Sequence, residues 1–262
     1  MSASMSAATV SVRLDQRPGG AVAHVTIENP AKLNTLGHAL MIEFVSQVEA
    51  LAAREDLRAV VLTGAGPKAF IGGANIHEMA TLNIEGAQAF ITLVHRTCAC
   101  LRALPVPVIA RVNGYALGAG LEVAAACDLR IASSNAVFGM PEVKVGIPSV
   151  VEAALLPGLI GWGRTRELLL FGENIDAPTA LAWGLVEQVV APDALDAAIE
   201  RRLSSLLAAG PHAVRLQKQL IRRWEDMTLS QAVSAGIESF TKSFASDEPA
   251  RMMHAFTSRP RG

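Results

Sequence analysis

Apolar residues in the first three quarters of the chain form short runs that alternate with stretches of helical spacing. Leu40, Phe44, Val48 and Leu51 recur every three or four residues, which is the period of one helix face. The predicted strands are Thr9–Leu14, Ala21–Glu28, Arg58–Leu62, Val106–Val112, Asp128–Ala132, Val137–Gly139 and Leu185–Val190, with a hairpin turn at Arg17–Gly20. The predicted helices are His38–Arg54, Gly86–Leu104, Gly118–Cys127 and a helical stretch from Val150 to Leu170.

Strand-like runs stop near residue 190, and the sequence beyond that point is helical in pattern. Helical spacing covers residues 193–208, 212–225, 228–245 and 247–257. We therefore predict a β/α core over residues 1–190 and a helical region over residues 191–262.

Two segments carry the pattern of a capping box, in which a small polar residue and an acidic residue three positions later share the amides of a helix start. The first runs from Asn75 to Glu78 and precedes a short helix at Ile76. The second runs from Ser149 to Glu152. By this pattern Glu152 is a helix cap rather than a catalytic residue.

The composition favours a globular chain with a large core. Hydrophobic residues make up 51% of the sequence, yet no apolar run reaches the ~18 residues of a membrane span. The net charge of −1 and the scattered cations argue against a nucleic-acid surface. The first residues lack the features of a signal peptide. Cys98, Cys100 and Cys127 form no CxxC pair, so we expect buried, reduced thiols and a cytoplasmic protein.

Two glutamates interrupt the apolar sequence between Arg111 and Ser149. Glu122 follows a glycine-rich turn at the start of an alanine-rich helix, and Glu142 follows a short strand that ends in proline. A carboxylate in apolar surroundings is costly to bury, and burial moves its pKa toward the range of a general acid or base. Two such groups at one cleft can divide acid and base chemistry between them.

Small residues surround two backbone amides that a ligand could reach. Gly118, Ala119 and Gly120 lie where the helix with Glu122 should begin, and a helix start exposes unpaired amides. Gly72 and Gly73 precede Ala74, whose amide is a second candidate. The spacing alone favours an ordinary capped turn at this second place.

Other chemistries fit the sequence poorly. The Gly118–Gly120 turn does not follow a strand directly, as a dinucleotide-binding fingerprint requires. The histidines lack HExxH spacing, which argues against a metal site, and no GxSxG nucleophile motif occurs. Glycoside hydrolysis also uses two carboxylates, but the chain has only 5% aromatic residues for stacking on sugars.

Three segments together resemble the enoyl-CoA hydratase/isomerase (crotonase) superfamily. They are GYALGAGLEVAAACDLRIA from Gly114, FGMPEVKVGIP from Phe138 and PKAFIGGANIHEM from Pro67. The resemblance runs from about Thr9 to the C-terminus. It implies an α/β fold, a crotonase-like spiral of repeated ββα units with a C-terminal helical trimerisation region. It therefore implies a homotrimer or a dimer of trimers, with no nucleic-acid or membrane partner.

The resemblance also implies a reaction. Members bind acyl-CoA thioesters and hold the thioester oxygen with two backbone amides, which match Ala74 and Ala119 here. In the hydratases two glutamates hold a water, and these match Glu122 as base and Glu142 as acid for adding that water to a 2-enoyl-CoA. No cofactor is implied, because coenzyme A is part of the substrate. The alternatives are an isomerase or specialised dehydratase of the superfamily, or a non-catalytic acyl-CoA or partner-binding protein.

Further residues match the superfamily's contacts with coenzyme A and the acyl group. Lys32 and Leu33 match the adenine-side loop, and His77 stands where many members have a lysine near the phosphates. Arg259 matches a basic tail position that can reach coenzyme A on a neighbouring subunit. The complete set of implied contacts is Lys32, Leu33, Gly72, Asn75, Ile76, His77, Gly118, Pro141, Val145, Ser149, Phe256 and Arg259.

The chain departs from the superfamily after Pro148. Typical hydratases have a glycine-rich run there, whose first amide helps to place the catalytic water, whereas this chain reads SVVEAALLP. Ser149 keeps an amide at that place, but the valines and Glu152 fill space that glycine leaves open. We therefore expect an acyl pocket that differs from that of a typical hydratase.

Overall fold

The computed structural model of the chain describes residues 7–258, which form ten strands and ten α-helices. The strands are β1 Thr9–Arg17, β2 Gly20–Glu28, β3 Leu57–Gly64, β4 Ala69–Ile71, β5 Val108–Val112, β6 Tyr115–Leu117, β7 Leu129–Ser133, β8 Val137–Gly139, β9 Ile175–Asp176 and β10 Gln188–Val190. The helices are α1 His38–Ala52, α2 Ile76–Met79, α3 Ile84–Ala103, α4 Ala119–Ala126, α5 Leu156–Phe171, α6 Ala177–Trp183, α7 Leu195–Ala208, α8 Pro211–Trp224, α9 Leu229–Ser243 and α10 Glu248–Thr257. Short 3-10 turns lie at Pro30–Lys32, Pro141–Val145, Val151–Leu155 and Pro192–Ala194.

The strands form two sheets. One has six strands in the order β1-β2-β3-β5-β7-β10, and the other has four in the order β4-β6-β8-β9. The pairs β1–β2 and β8–β9 are antiparallel, and the remaining pairs are parallel. From β3 to β8, each two consecutive strands place one strand in each sheet and lead into a helix. This repeated ββα spiral is the fold that the family resemblance implies.

The hairpin of β1 and β2 follows from its turn residues. Arg17 pairs with Gly20, so only two residues lie between them. Gly19 and Gly20 have φ angles of 96° and 126°, in a region that residues with a side chain disfavour. A Cβ atom at Gly20 would also lie 2.6 Å from the carbonyl oxygen of Asp56. The predicted hairpin is therefore confirmed, and its glycines are required by both conformation and space.

The main hydrophobic cluster joins both sheets to α1, α3 and α4. It includes Leu40, Phe44, Val48 and Leu51, the helix face predicted from the sequence, and all of these side chains are buried. Burying a side chain of this kind contributes roughly 1.5–3 kcal/mol to folding. The cluster also takes in the apolar residues of α4, so the helix that carries Glu122 is enclosed by the core.

A second hydrophobic cluster covers the other face of the six-stranded sheet. There Leu195, Ala198, Ile199 and Leu203 of α7 pack against buried residues of β2, β3, β5 and β7. Within the described residues the strands end at Val190 and only helical segments follow, as the pattern predicts. The helix α7 shares a core with the sheet, so a functional boundary at residue 190 stays a prediction.

The sequence pattern missed β4, β6 and β9. Each has two or three residues, too few for an alternation of apolar and polar positions to be recognised. Cys98, Cys100 and Cys127 are buried free thiols, as predicted. None of the helices within residues 7–258 has both the length and the apolar character that crossing a membrane requires.

Candidate active site

A cavity of about 540 Å³ opens where the loop after β2, the segment after β4, the end of β6 and the 3-10 turn after β8 meet. Most of the predicted site residues line it, namely Lys32, Leu33, Gly72, Ala74, Asn75, Ile76, His77, Gly118, Pro141, Glu142 and Val145. Gly73, noted in the sequence as a place of close approach, also lines it, and residues that the sequence analysis did not single out complete the lining: Ala31, Thr35, Met79, Leu117 and Ile147. Four separate segments of sequence therefore meet at one cleft.

The other five predicted residues are not among the residues that line the cavity. Ala119 and Glu122 are buried in α4, and Ser149 follows the turn with Glu142 and contacts its side chain. Phe256 lies on α10 with 74% of its surface exposed and does not line the cavity. Arg259 lies outside the described residues.

The loop with Lys32 and Leu33 is fixed by Asn34, which the sequence analysis missed. Asn34 is fully buried and has a φ of 57°, a conformation that asparagine tolerates better than most residues. Its side chain accepts a hydrogen bond from the Asn29 amide and donates to the carbonyl oxygens of Ala65 and Ala69, each at 2.9 Å. Because Ala69 begins β4, this network ties the loop to the strand that leads into Gly72–Ala74.

The segment after β4 is held against the same loop. The amide of Leu36 donates to Gly73, and the amide of Asn75 donates to Leu36. Asn75 caps α2 as predicted, because its Oδ1 accepts from the His77 amide at 3.1 Å. The predicted capping box is wrong in its second half. The Glu78 carboxylate instead accepts from the Asn75 side chain and the His38 amide, since the Asn75 amide is already engaged.

The two candidate amides lie on neighbouring segments. A Cβ at Gly120 would approach the carbonyl oxygen of Ile71 to 2.0 Å, and one at Gly73 would lie 3.3 Å from that of Leu117. The backbones before and within α4 therefore pack directly on the end of β4. Neither the Ala74 nor the Ala119 amide donates to any protein acceptor within residues 7–258. Both amides thus have a free hydrogen-bond donor, and Ala74 lines the cavity directly.

Gly118 brings the helix start close to a candidate catalytic group. It has φ 50° and ψ −123°, and a Cβ there would lie 2.2 Å from Oε1 of Glu142. Only glycine leaves room for this contact. The carboxylate of Glu142 therefore lies beside the first turn of α4, next to the Ala119 amide.

Glu122 is buried in α4, with 4% of its surface exposed. Its Oε1 accepts a hydrogen bond of 3.2 Å from the Ala153 amide. Burial raises the pKa of Glu122 to about 8, and the nearby carboxylates of Glu142 and Glu152 add to the rise, against a lowering by the Ala153 amide. A carboxyl group tuned in this way can exchange a proton near neutral pH.

Glu142 is oriented by Ser149, the first residue of the segment that replaces the expected glycine-rich run. The hydroxyl of Ser149 donates to its Oε2 at 2.8 Å. Pro141 opens the 3-10 turn in which Glu142 sits, and Glu142 lines the cavity. The structure thus brings the two glutamates of the sequence analysis to one place from two separate segments.

No group of three or more His, Cys, Asp or Glu side chains in the part of the chain described here is arranged to hold a metal ion. The candidate site consists of carboxylates, backbone amides and a mostly apolar cleft.

Sequence comparison decides the family. The sequence model of the family described as enoyl-CoA hydratase/isomerase matches residues 17–261. The chain belongs to this family. It is 39% identical over 238 residues to the short-chain-enoyl-CoA hydratase of Clostridium acetobutylicum, covering 90% of this chain and 91% of that protein. It is 36% identical over 231 residues to the crotonyl-CoA hydratase of Syntrophomonas wolfei, covering 88% and 89%.

A solved structure of the same family has the same fold. The crystal structure of enoyl-CoA hydratase from Mycobacterium smegmatis matches with a TM-score of 0.90 at 31% identity, covering 95% of this chain and 98% of that one. The family and the crotonase fold that three sequence segments predict are therefore confirmed.

The capping box predicted after Pro148, in the segment that replaces the expected glycine-rich run, is wrong. Glu152 is not a helix cap, and Ser149 does not start a capping box. The 3-10 turn Val151–Leu155 has no side-chain cap, because the Ser149 hydroxyl is bonded to Glu142. The side chain of Glu152 instead turns toward α3, where its Oε1 lies 2.8 Å from Nδ1 of His95.

Proposed function

We propose that the protein is an enoyl-CoA hydratase that adds water across the 2,3 double bond of a short 2-enoyl-CoA thioester. The observation that carries the proposal is the placement of Glu142 and the Ala74 amide at one cleft, beside the start of the helix that holds the unengaged Ala119 amide and the buried Glu122. The chemical names of the two relatives, short-chain-enoyl-CoA and crotonyl-CoA hydratase, support this substrate class. Coenzyme A belongs to the substrate, and the proposal needs no separate cofactor.

The amides of Ala74 and Ala119 would hold the thioester oxygen. When the water oxygen bonds to the β carbon, the double-bond electrons move toward the thioester and negative charge grows on its oxygen. Fixed donors that point at this oxygen stabilise the transition state more than the ground state. The small residues around both amides give the oxygen access to them.

The two glutamates would carry the protons. Glu122 accepts one proton from the water as its oxygen attacks the β carbon, and Glu142 donates one proton to the α carbon. One O–H bond of the water and the carbon–carbon π bond break, and one carbon–oxygen and one carbon–hydrogen bond form. Exchange of protons with solvent then removes the proton gained by Glu122 and replaces the one lost by Glu142. The raised pKa of Glu122 supports its role as base, because a base whose pKa lies near the working pH is effective.

Coenzyme A would extend from the cleft toward solvent. Lys32 and His77 are exposed at the cavity and can face phosphates, and Asn75 and Ile76 continue the lining between them. Phe256 and Arg259 would contribute from a neighbouring subunit, because Phe256 lies away from the cavity of its own chain.

We also propose that the protein assembles as a homotrimer or a dimer of trimers. The helix α9 exposes an apolar stripe made of Leu229, Val233, Ile237, Phe240 and Phe244, each with more than half of its surface accessible. The spacing of these residues puts them on one face of the helix. A contiguous apolar face of this kind is typical of a subunit interface.

Isomerisation of the double bond is the second candidate, because the family includes isomerases. An isomerase moves a proton without adding water and can work with one acidic residue. The presence of carboxylates at both Glu122 and Glu142 favours hydration, which needs a base for water and an acid for carbon.

The paired variants Glu122→Gln and Glu142→Gln test the proposal. Each keeps size and hydrogen bonding, so we expect turnover of crotonyl-CoA to fall by roughly 10²–10⁴ while binding of a saturated acyl-CoA is retained. The double variant should lose less than the product of the two effects, since both groups act on one water. The measurement is the loss of absorbance of the conjugated thioester, with exposed Glu85→Gln as a control of unchanged rate.

Each alternative predicts a different result. For an isomerase, Glu122→Gln would leave the rate of double-bond migration nearly unchanged. For a non-catalytic protein, the unmodified chain would bind acyl-CoA without turnover. Either result contradicts the hydratase proposal.

A further inference from the structure

Glu152 is a buried carboxylate that the proposed reaction does not use. It is 7% exposed, and only one of its oxygens has a partner within the described residues: Oε1 meets His95, while Oε2 is buried and unbonded. Burying a charged group is costly, so a carboxylate in this position calls for a physical reason. Packing does not supply one, because an apolar side chain would fill the space without that cost.

The backbone around Glu152 touches both candidate catalytic residues. Ser149, three residues earlier, bonds to Glu142, and Ala153, the next residue, bonds to Glu122. Val151 has a φ of 41°, which is a strained conformation for a β-branched residue. Such strain persists only where surrounding contacts hold it, and it is common at functional sites. The segment is thus held by its bonds to Glu142 and Glu122, and Glu152 lies between the two residues that make these bonds.

The charge of Glu152 acts on the groups that surround it. Together with burial and Glu142, it raises the pKa of Glu122 on α4. It also raises the pKa of the Cys98 thiol on α3, although burial is the larger cause there. Cys98 lies three residues after His95 on the same helix. The carboxylate therefore lies between α3 and α4, and the titratable groups that face it are His95, Cys98 and Glu122.

His95 connects this buried carboxylate to the surface. Its ring nitrogen Nδ1 lies 2.8 Å from Glu152, and 54% of its side chain is accessible. Within the described residues His95 is the one side chain that bonds to the Glu152 carboxylate. Removing the imidazole should therefore release the carboxylate from its fixed position and weaken its effect on Glu122.

We propose that Glu152 and His95 form a positioning pair that sets the pH range in which Glu122 can accept a proton from water. This inference rests on the role of Glu122 in the proposed function. The negative charge at Glu152 makes Glu122 a stronger base, and the His95 hydrogen bond holds that charge in place. Neither residue touches the reacting atoms. They act through Glu122.

The test is the pH dependence of kcat/KM for crotonyl-CoA hydration in the full-length protein. Glu152→Gln keeps the shape of the side chain and removes its charge. Because Glu122 would then lose its proton more easily, we expect the acid limb of the profile to move to lower pH by about half a unit to one unit. The plateau rate above the limb should fall a few-fold, because a weaker base drives proton transfer less strongly.

Three further variants sharpen this test. His95→Phe should move the limb in the same direction as Glu152→Gln, and the double variant should move it no further. Glu152→Asp retains a carboxylate and should return the limb toward its original position. Glu85→Gln makes the same chemical change at an exposed residue of α3 and should leave the whole profile unchanged.

The outcomes separate this inference from the proposed function. If Glu122→Gln keeps full turnover, the proposed function fails and this inference with it. If Glu122→Gln is inactive but the limb stays in place for Glu152→Gln, or for His95→Phe, the positioning pair is overturned and the hydratase assignment stands. A purely structural Glu152 would lower the rate equally at all pH values. If Glu152→Gln does not fold, the His95→Phe profile decides alone.

Discussion

At the scale of single residues, the site contains a buried carboxyl group that lowers the stability of the folded protein when it is ionised. Glu122 is surrounded by the alanine-rich core of α4, where its ionised form is disfavoured. In the unfolded chain the same group has an ordinary pKa, so the folded state binds more protons than the unfolded state between about pH 4.5 and about pH 8. The free energy of unfolding is therefore highest at low pH, where the group is protonated in both states, and it falls as the pH rises through this window.

This linkage predicts that Glu122→Gln stabilises the protein at alkaline pH. Each unit of pKa shift corresponds to about 1.4 kcal/mol, so the gain at pH 9 should reach a few kcal/mol, and it should disappear near pH 5. The measurement is the Tm of both proteins across this range by calorimetry. A gain of equal size at pH 5 and pH 9 would contradict the assignment of a raised pKa, and Glu85→Gln should give no pH-dependent difference.

Some residues of the site could be predicted from the sequence, and others could not. Glu122 and Glu142 are recognisable because a carboxylate in an apolar run is unusual. In the structure Glu142 lines the cleft, and Glu122 is buried in α4, where the charge of Glu142 acts on it. Glu152 was misassigned because the spacing from Ser149 to Glu152 matches a capping box. Local spacing cannot show that the Ser149 hydroxyl has a closer acceptor in Glu142. Asn34 was missed because the two carbonyl oxygens to which it donates, those of Ala65 and Ala69, lie more than thirty residues away in the sequence.

At the scale of elements, the start of α4 combines three requirements. Gly118 must adopt a conformation that a side chain would obstruct, Gly120 must lie against β4, and Ala119 between them must leave its amide unengaged. The glycines of this turn could be recognised in the sequence as places of close approach. What they approach depends on β4 and β6, and each of these strands has only three residues, too few for a sequence pattern to reveal it.

Two substitutions of Ala119 distinguish the role of its backbone amide from that of its side chain. Proline is tolerated at the first position of a helix and removes the N–H, so Ala119→Pro should lower kcat by ~10²–10³. Ala119→Gly keeps the N–H and should stay within a few-fold of the original rate. The two variants are compared in the same hydration assay, after a structure of each has shown an intact α4. Equal activity in both would show that the Ala119 amide has no part in the reaction.

At the scale of the whole molecule, two sheets bring distant segments to the cleft. Consecutive strands alternate between the sheets, so β4, β6 and β8 lie side by side and the segments that follow them converge. The helices after β10 follow from the period of apolar residues, whereas the repeated ββα units were implied only by the family resemblance. Which residues meet at the end of the smaller sheet follows from the parallel register, and only the family resemblance indicated it beforehand.

The last prediction concerns assembly and rests on the helices at the end of the chain. The stripe on α9 from Leu229 to Phe244 leaves large apolar side chains accessible, whereas the opposite face of the helix packs inward with Ala235 buried. A single copy of the chain has no contact that covers the stripe within its described residues, because each of its members stays more than half exposed. Covering it with further copies of the same chain would remove this surface from water.

We therefore expect the protein to sediment as a trimer or a hexamer at micromolar concentration, and the variant Ile237→Glu with Phe240→Glu to dissociate. Two charges in a closed apolar interface lose their hydration without gaining partners, and the cost of several kcal/mol per charge exceeds what such an interface can absorb. Analytical ultracentrifugation measures both states. Ser234→Glu places the same charge on an exposed position beside the stripe and should keep the assembly. A compact, active monomer of the unmodified protein would contradict the prediction, as would a double variant that sediments like the original.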